Sequence, residues 1–175
     1  MKKENSLPCD WEKILEMEML KNQSDKCIRR GYICSPCKDD NFEAVYQNMQ
    51  AARVYMYFAI MHLHINARAT HAYLPTLLCD KLPCERALAI QFCKKLVETG
   101  VIILVCGDRL TSGMREEICH AAALGEQILV FNTGILTDVK KLVTGVGADK
   151  KLVSTGKCDI LGYNTADIDV LLNSI

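Results

Sequence analysis

The sequence predicts an α/β domain built on a parallel β-sheet with helices over both faces. Three observations carry that prediction. From Ile28 onward, short β-rich runs alternate with stretches in which apolar residues recur every three or four positions. The run Val101-Ile102-Ile103-Leu104-Val105 is apolar throughout, as a central parallel strand buried on both faces must be. Capping residues and glycines, among them Asn41, Gly100 and Gly125, punctuate the alternation. The chain has 175 residues, 50% apolar and 24% charged, the balance of one globular domain. A chain of this size buries roughly 70% of its unfolded surface, so it needs neither disulfides nor metal to hold a core.

Residues 1–27 read as a helical appendage and linker. Ser6 can cap a helix with Pro8 in its first turn, and Trp11, Ile14, Leu15 and Met19 form its apolar stripe. Gln23-Ser24-Asp25-Lys26 is a polar linker. The domain proper is expected over 28–145. Gly31-Tyr32-Ile33-Cys34-Ser35 is its first strand, stopped by Pro36. Asn41 caps a helix in which Val45, Met49, Ala52, Met56, Ala59 and Leu63 share one face. Residues 65–69 make a weak second strand, followed by the loop Thr70-His71-Ala72-Tyr73-Leu74-Pro75. Pro83 opens a helix whose buried face is Ala89, Phe92, Cys93, Leu96 and Val97, and Gly100 ends it. The central strand follows, then a loop over 107–111 and a helix capped by Ser112 and stopped by Gly125. Residues 127–131 form the next strand, and Thr137 caps a short helix ending near Gly145. Residues 146–175 are a C-terminal extension whose strand-like and helical fragments find no place in this scheme.

Lys plus Arg and Asp plus Glu number 21 each, so the formal charge is zero. That excludes a broad electrostatic footprint for duplex nucleic acid or anionic lipid, and neither nucleic acid nor membrane is expected as a partner. No signal-length apolar stretch follows the basic N-terminus and no run is long enough to span a bilayer, so a cytoplasmic location is expected. The 10 cysteines include Cys34-Ser35-Pro36-Cys37, but no second pair has zinc-site spacing. Without an export signal they read as small hydrophobes rather than a disulfide framework. Gly145-Val146-Gly147 lacks the third glycine of a dinucleotide loop, where Lys150 stands. His62 and His64, two positions apart, cannot face one metal from a helix. Neither metal nor cofactor is expected.

Ligands of open α/β sheets bind beyond the carboxyl ends of the strands, which singles out four loops: 35–41, 68–73, 107–113 and 132–134. In the third, Ser112 and Gly113 open a helix whose free amides can face an anion or a sugar hydroxyl. That helix carries neighbouring carboxylates, Glu116 and Glu117. At about 100° per residue, Met114, Ile118 and Ala121 define its buried face and Glu117 lies about 60° from Met114, while Glu116 points to solvent. A partly buried carboxylate beside a strand-end crevice can serve as nucleophile or base; a salt-bridged border residue is the alternative.

Taken in order, several of these segments resemble one family. They are Gly31-Tyr32-Ile33-Cys34-Ser35-Pro36; Asn48 with Ala52-Arg53 and Tyr55; Ala67-Arg68-Ala69 with His71-Ala72-Tyr73-Leu74-Pro75; and Pro83 with Glu85-Arg86. Val105-Cys106-Gly107-Asp108-Arg109-Leu110 with Ser112-Gly113-Met114 and Glu117-Ile118 completes the set. Across residues 28–132 the chain resembles the nucleoside 2-deoxyribosyltransferase-like superfamily, closest to an uncharacterised phage and mobile-element branch. The resemblance implies a flavodoxin-like three-layer fold, a nucleoside- or nucleotide-like ligand, and a homo-oligomer that completes its site from a neighbouring subunit. It implies Glu117 as the nucleophile that attacks the anomeric carbon and expels the base, with Tyr32 beside it. Cleavage of this kind passes through an oxocarbenium-like state that a carboxylate can stabilise or trap.

The chain also departs from the family. Gly100 and Thr111-Ser112 stand where related proteins carry acids that assist the leaving base, and Asp108 is the available substitute. Arg68, His71, Arg109 and Arg115 offer cationic groups suited to phosphate. Ser35, Pro36, Gly107, Ser112, Gly113 and Met114 complete the expected ligand-binding set. Two functions follow as expectations: cleavage or transfer at an N-glycosidic bond through Glu117, or sequestration of a nucleotide-derived immune signal without turnover.

Overall fold

The computed structural model of the protein describes residues 29–99, 101–147, 151–154 and 173. The expected N-terminal helix, the stop at Gly100 and most of the C-terminal extension lie outside the described residues. The elements run β1 (Arg30–Cys34), α1 (Phe42–Leu63), β2 (Asn66–Arg68), a 3-10 turn (Thr70–Ala72), α2 (Leu74–Leu77), α3 (Pro83–Val97), β3 (Ile102–Val105), α4 (Ser112–Leu124), β4 (Ile128–Val130), α5 (Thr133–Thr144) and β5 (Leu152–Ser154). The five strands form one sheet in the order β2-β1-β3-β4-β5, parallel throughout. This is a flavodoxin-like three-layer α/β fold. The chain leaves β1 for β2 on one side and returns to β3 on the other, so the strand order reverses between β1 and β3.

Alternation along each strand divides the core in two. Tyr32, Cys34, Ile103, Val105, Ile128 and Val130 face α3, α4 and α5, meeting Cys93, Val97, Met114, Ile118, Ala121, Ile135, Val139 and Val143. Ile33, Leu104, Cys106, Leu129 and Phe131 face the opposite way and meet Ala52, Ala59 and Leu63 of α1. Gly31 shows why β1 can approach its neighbours so closely. A Cβ there would lie 2.4 Å from Ile65 Cγ2 and 2.8 Å from Leu104 Cδ1.

The caps follow side-chain chemistry, with two corrections. Asn41 caps α1 as expected, accepting from the Glu43 amide at 3.0 Å, and Gly125 ends α4 in the left-handed conformation at φ 73°. The cap of α4, however, is Thr111 rather than Ser112: its extended backbone lets the hydroxyl accept from the Met114 amide at 3.3 Å. Asn132, not Thr137, caps α5 by accepting from the Gly134 amide at 2.7 Å. Starting there adds a turn and places Ile135, Val139 and Val143, four residues apart, on the buried face.

Three further expectations are revised. The stretch read as a loop after β2 is wound into the 3-10 turn and α2. On α3, Cys93 and Val97 turn inward and leave Phe92 on the flank, 42% exposed. The sheet also continues beyond residue 145, because β5 pairs Leu152 with Ile128 and Lys151 Nζ donates to the Gly125 carbonyl. No helix among the described residues is long and apolar enough to cross a membrane.

The tight packing at Gly31 is directly testable. Because the Ile65 methyl is fixed close to its own backbone, Gly31→Ala should force the strands apart and cost about 1–3 kcal/mol in urea denaturation. An unchanged midpoint would show that the contact yields freely.

Candidate functional site

The two chemistries expected from the sequence fall on opposite faces of the sheet. On the face covered by α3–α5, Tyr32 of β1 reaches Glu117 of α4 and its hydroxyl donates to Oε1 at 3.0 Å. Glu117 is 5% exposed, whereas Glu116 stays in solvent and pairs with Lys94 at 3.4 Å, as the helical wheel requires. The second carboxylate oxygen, Oε2, is buried and has no hydrogen-bond partner. Burying such an atom unpaired costs about 1–3 kcal/mol or more, so its retention calls for an explanation.

Behind Tyr32 stands Thr70, fully buried at the end of β2. Its Oγ1 lies 3.0 Å from the Tyr32 hydroxyl, 3.1 Å from His71 Nδ1 and 3.4 Å from Cys93 Sγ. Proton inventory orders these contacts. Tyr32 gives its only proton to Glu117, so it accepts from Thr70, and Thr70 then accepts from His71 Nδ1–H. A directional chain therefore runs His71 to Thr70 to Tyr32 to Glu117. Sequence reasoning found its two ends and Tyr32 but missed Thr70, for which the only signal was a lone hydroxyl at a strand end.

Burial dominates the titration of this cluster. It pushes the Tyr32 phenol and the Cys34 thiol well above their ordinary ranges, and the Glu117 carboxylate beside them adds to the effect. Burial, then the charge of Glu117, pushes Cys93 up to about 11, and burial, then Asp80, pushes Cys37 up to about 12. The four groups stay neutral over the physiological range, so Tyr32 keeps the proton it donates.

On the opposite side, at the carboxyl ends of β1, β3 and β4, a crevice of about 390 Å³ opens where the strand order reverses. Pro36, Gly107, Asp108, Arg109 and Asn132 line it from the loops, and Asn48, Ala51 and Tyr55 from α1. Gly107 is required there. Its φ of 96° is one that residues with a Cβ rarely adopt, and a Cβ would lie 2.6 Å from Pro36 Cδ. Arg109 spans the rim, 3.5 Å from Asp39 and 3.7 Å from Asp108. Ser35 is buried beneath with an unpartnered hydroxyl.

The predicted site residues thus separate. Tyr32, His71 and Glu117 come together; Pro36, Gly107, Asp108 and Arg109 share the crevice; Asp108, with its side chain 80% exposed, does not join Glu117. Arg68 lines neither group's crevice but a smaller cavity beside Tyr32. Ser112 accepts from Arg86, which also grips Asp80 through both carboxylate oxygens at 2.9 and 2.7 Å. Met114 is a core residue, and Gly113 has open space around it. Among the described residues, no three His, Cys, Asp or Glu side chains gather as a metal site.

The buried thiols predict a pH dependence. Unfolded thiols ionise near pH 9, whereas Cys93 and Cys37 resist until about 11 and 12. Between those values the unfolded state binds fewer protons, so stability is full below pH 9 and falls as pH rises, by up to about 1.4 kcal/mol per pH unit for each thiol. Urea midpoints under reducing conditions should drop from pH 8 to pH 10, and Cys93→Ala should flatten the drop. A profile that stays level, or one indifferent to Cys93→Ala, would contradict this burial.

No curated protein and no solved structure matches the chain. The family model described as a domain of unknown function (DUF7768) matches residues 29–131, more than half of the sequence, and the chain belongs to that family.

Proposed function

We propose that the protein binds a nucleoside- or nucleotide-like molecule and cleaves or transfers at its N-glycosidic bond through Glu117. The observation that carries this reading is the buried Glu117 carboxylate, with Oε1 held by Tyr32 and Oε2 left without a partner. Besides Tyr32, the groups that bear on this carboxylate are the Cys34 and Cys93 thiols, which are weak donors, so a ligand that reaches Oε2 displaces no strong protein hydrogen bond. The resemblance to deoxyribosyltransferase-like proteins puts the nucleophile at this residue and a tyrosine at Tyr32.

In this mechanism Oε2 attacks the anomeric carbon. The new carbon–oxygen bond forms as the carbon–nitrogen bond breaks, and its electron pair leaves with the base, which takes a proton from water. Water or a second base then displaces the glycosyl ester and regenerates the carboxylate. Tyr32 holds Oε1 throughout and keeps the attacking oxygen in line, and Thr70 and His71 hold Tyr32. Because Glu117 is only 5% exposed, a substrate must displace the side chains around it to reach Oε2.

A second reading has its own observation: the crevice of about 390 Å³ is not lined by Glu117. A nucleotide-like ligand held there, against Pro36, Asn48 and Arg109, is bound without meeting the carboxylate. That is the behaviour of a sequestering protein rather than an enzyme.

Incubation with a panel of nucleosides and nucleotides, followed by mass spectrometry of bound and released species, separates the two. The enzymatic reading expects free base, a loss of roughly 10³-fold or more in Glu117→Gln, and little change in Glu116→Ala. Equal effects of the two substitutions would overturn it. Intact nucleotide retained by the protein, and lost in Arg109→Ala, would establish the second reading in its place.

A further inference from the structure

Strand β2 has an unequal pair of faces. Toward α1 its neighbourhood is apolar and buried, with Ile65, Ala67 and Ala69 at 0–3% exposure. Toward α3 it presents Asn66, half-buried, and Arg68, exposed. The parallel register sets Asn66 beside Arg30 and Arg68 beside Tyr32, so both arginines and Asn66 share one sheet face. Leu96 and Thr99 at the end of α3, with Val101, close the space next to them. The result is a cavity of about 130 Å³ at the amino-terminal side of the sheet, lined by Arg30 and Arg68 and by no acidic residue.

Charges on an edge strand commonly serve to discourage pairing with another sheet. That role needs no cavity, and here the cations line one. Arg30 is also held in place: its Nη2 donates to the Thr99 carbonyl at 2.6 Å, which leaves the rest of the fork available. Asn66 supplies an amide that donates without adding charge. Typical small-molecule sites occupy about 300–1,000 Å³, so this space suits a compact ion rather than a nucleoside. Guanidinium forks match the paired oxygens of phosphate and carboxylate groups.

We propose that this cavity binds a small oxyanion, phosphate or carboxylate, between Arg30 and Arg68 with Asn66 as a further donor. The site is separate from the strand-end crevice and does not rest on the nucleoside reading. It shares Tyr32 with the Glu117 cluster, where the Tyr32 hydroxyl stays on the carboxylate.

Isothermal titration calorimetry of the full chain with inorganic phosphate and, separately, with acetate tests the proposal and distinguishes the two anion types. Single-site binding of at least one is expected, weakened roughly ten-fold or more by Arg68→Ala. Arg30→Ala should weaken it too, and Arg109→Ala and Glu117→Gln should leave it unchanged. Arg68 is exposed, so its substitution tests the site even if Arg30→Ala disturbs the link to Thr99. Absence of binding by both anions, or binding indifferent to Arg68→Ala, would overturn the assignment. Loss of base release in Glu117→Gln with phosphate binding intact would show the two readings to be independent.

Discussion

A hydrogen bond between the Tyr32 hydroxyl and Glu117 Oε1 joins the first strand to the helix after the third across 85 residues of chain. It can form only if several independent conditions hold. Tyr32 must fall on the α3–α5 side of β1, and β1 must pair directly with β3, while Gly31 leaves room on the other face for the side chains of Ile65 and Leu104. The Thr111 cap must start α4 where it does, because a shift of one residue rotates Glu117 by about 100° and exchanges it for Glu116 or Ile118. Thr70 must arrive from the adjoining edge strand, just past β2, to hold the phenol. The sheet order, the caps and the 3-10 turn after β2 all bear on this one contact.

What makes the contact more than packing is its asymmetry. A carboxylate buried for stability has both oxygens satisfied, and an apolar side chain of similar volume serves as well or better. Glu117 keeps one oxygen unpaired inside a cluster of thiols and a phenol that burial holds neutral. Polar groups left short of strong partners in a core are a feature of functional sites, and this is the position in the chain that carries the proposed function. The crevice at the strand switch is lined by other residues, and the arginine-lined cavity beside β2 meets the cluster only through Tyr32. The chain therefore carries three chemically different features: a buried carboxylate, an open crevice and an arginine-lined notch.

Much of this was legible in the residues themselves. The unbroken apolar run before Cys106 marked the central strand, and Asn41 and Gly125 marked helix ends, because those signals are local. The wheel separated Glu117 from Glu116, since a helix carries its own angular ruler. Other features depend on what meets what. Thr70 became part of the site through Tyr32 and Cys93, which lie 38 and 23 residues away in sequence. Arg68 and Arg109 looked like one cationic set in the sequence, but Arg68 lies on the α3 side of the edge strand and Arg109 in a crevice against α1. Strand β5, three residues long, is too short to show a period and is recognisable only by its pairing with β4.

The central claim is that Glu117 Oε2 is held for a ligand. A crystal structure of the protein soaked with a nucleoside or an uncleavable analogue measures this directly. The account predicts Oε2 within hydrogen-bonding or attack distance of the sugar, with the Tyr32 hydroxyl still on Oε1. A nucleoside seated in the crevice against Pro36 and Asn48, with Oε2 still unpartnered, would contradict it.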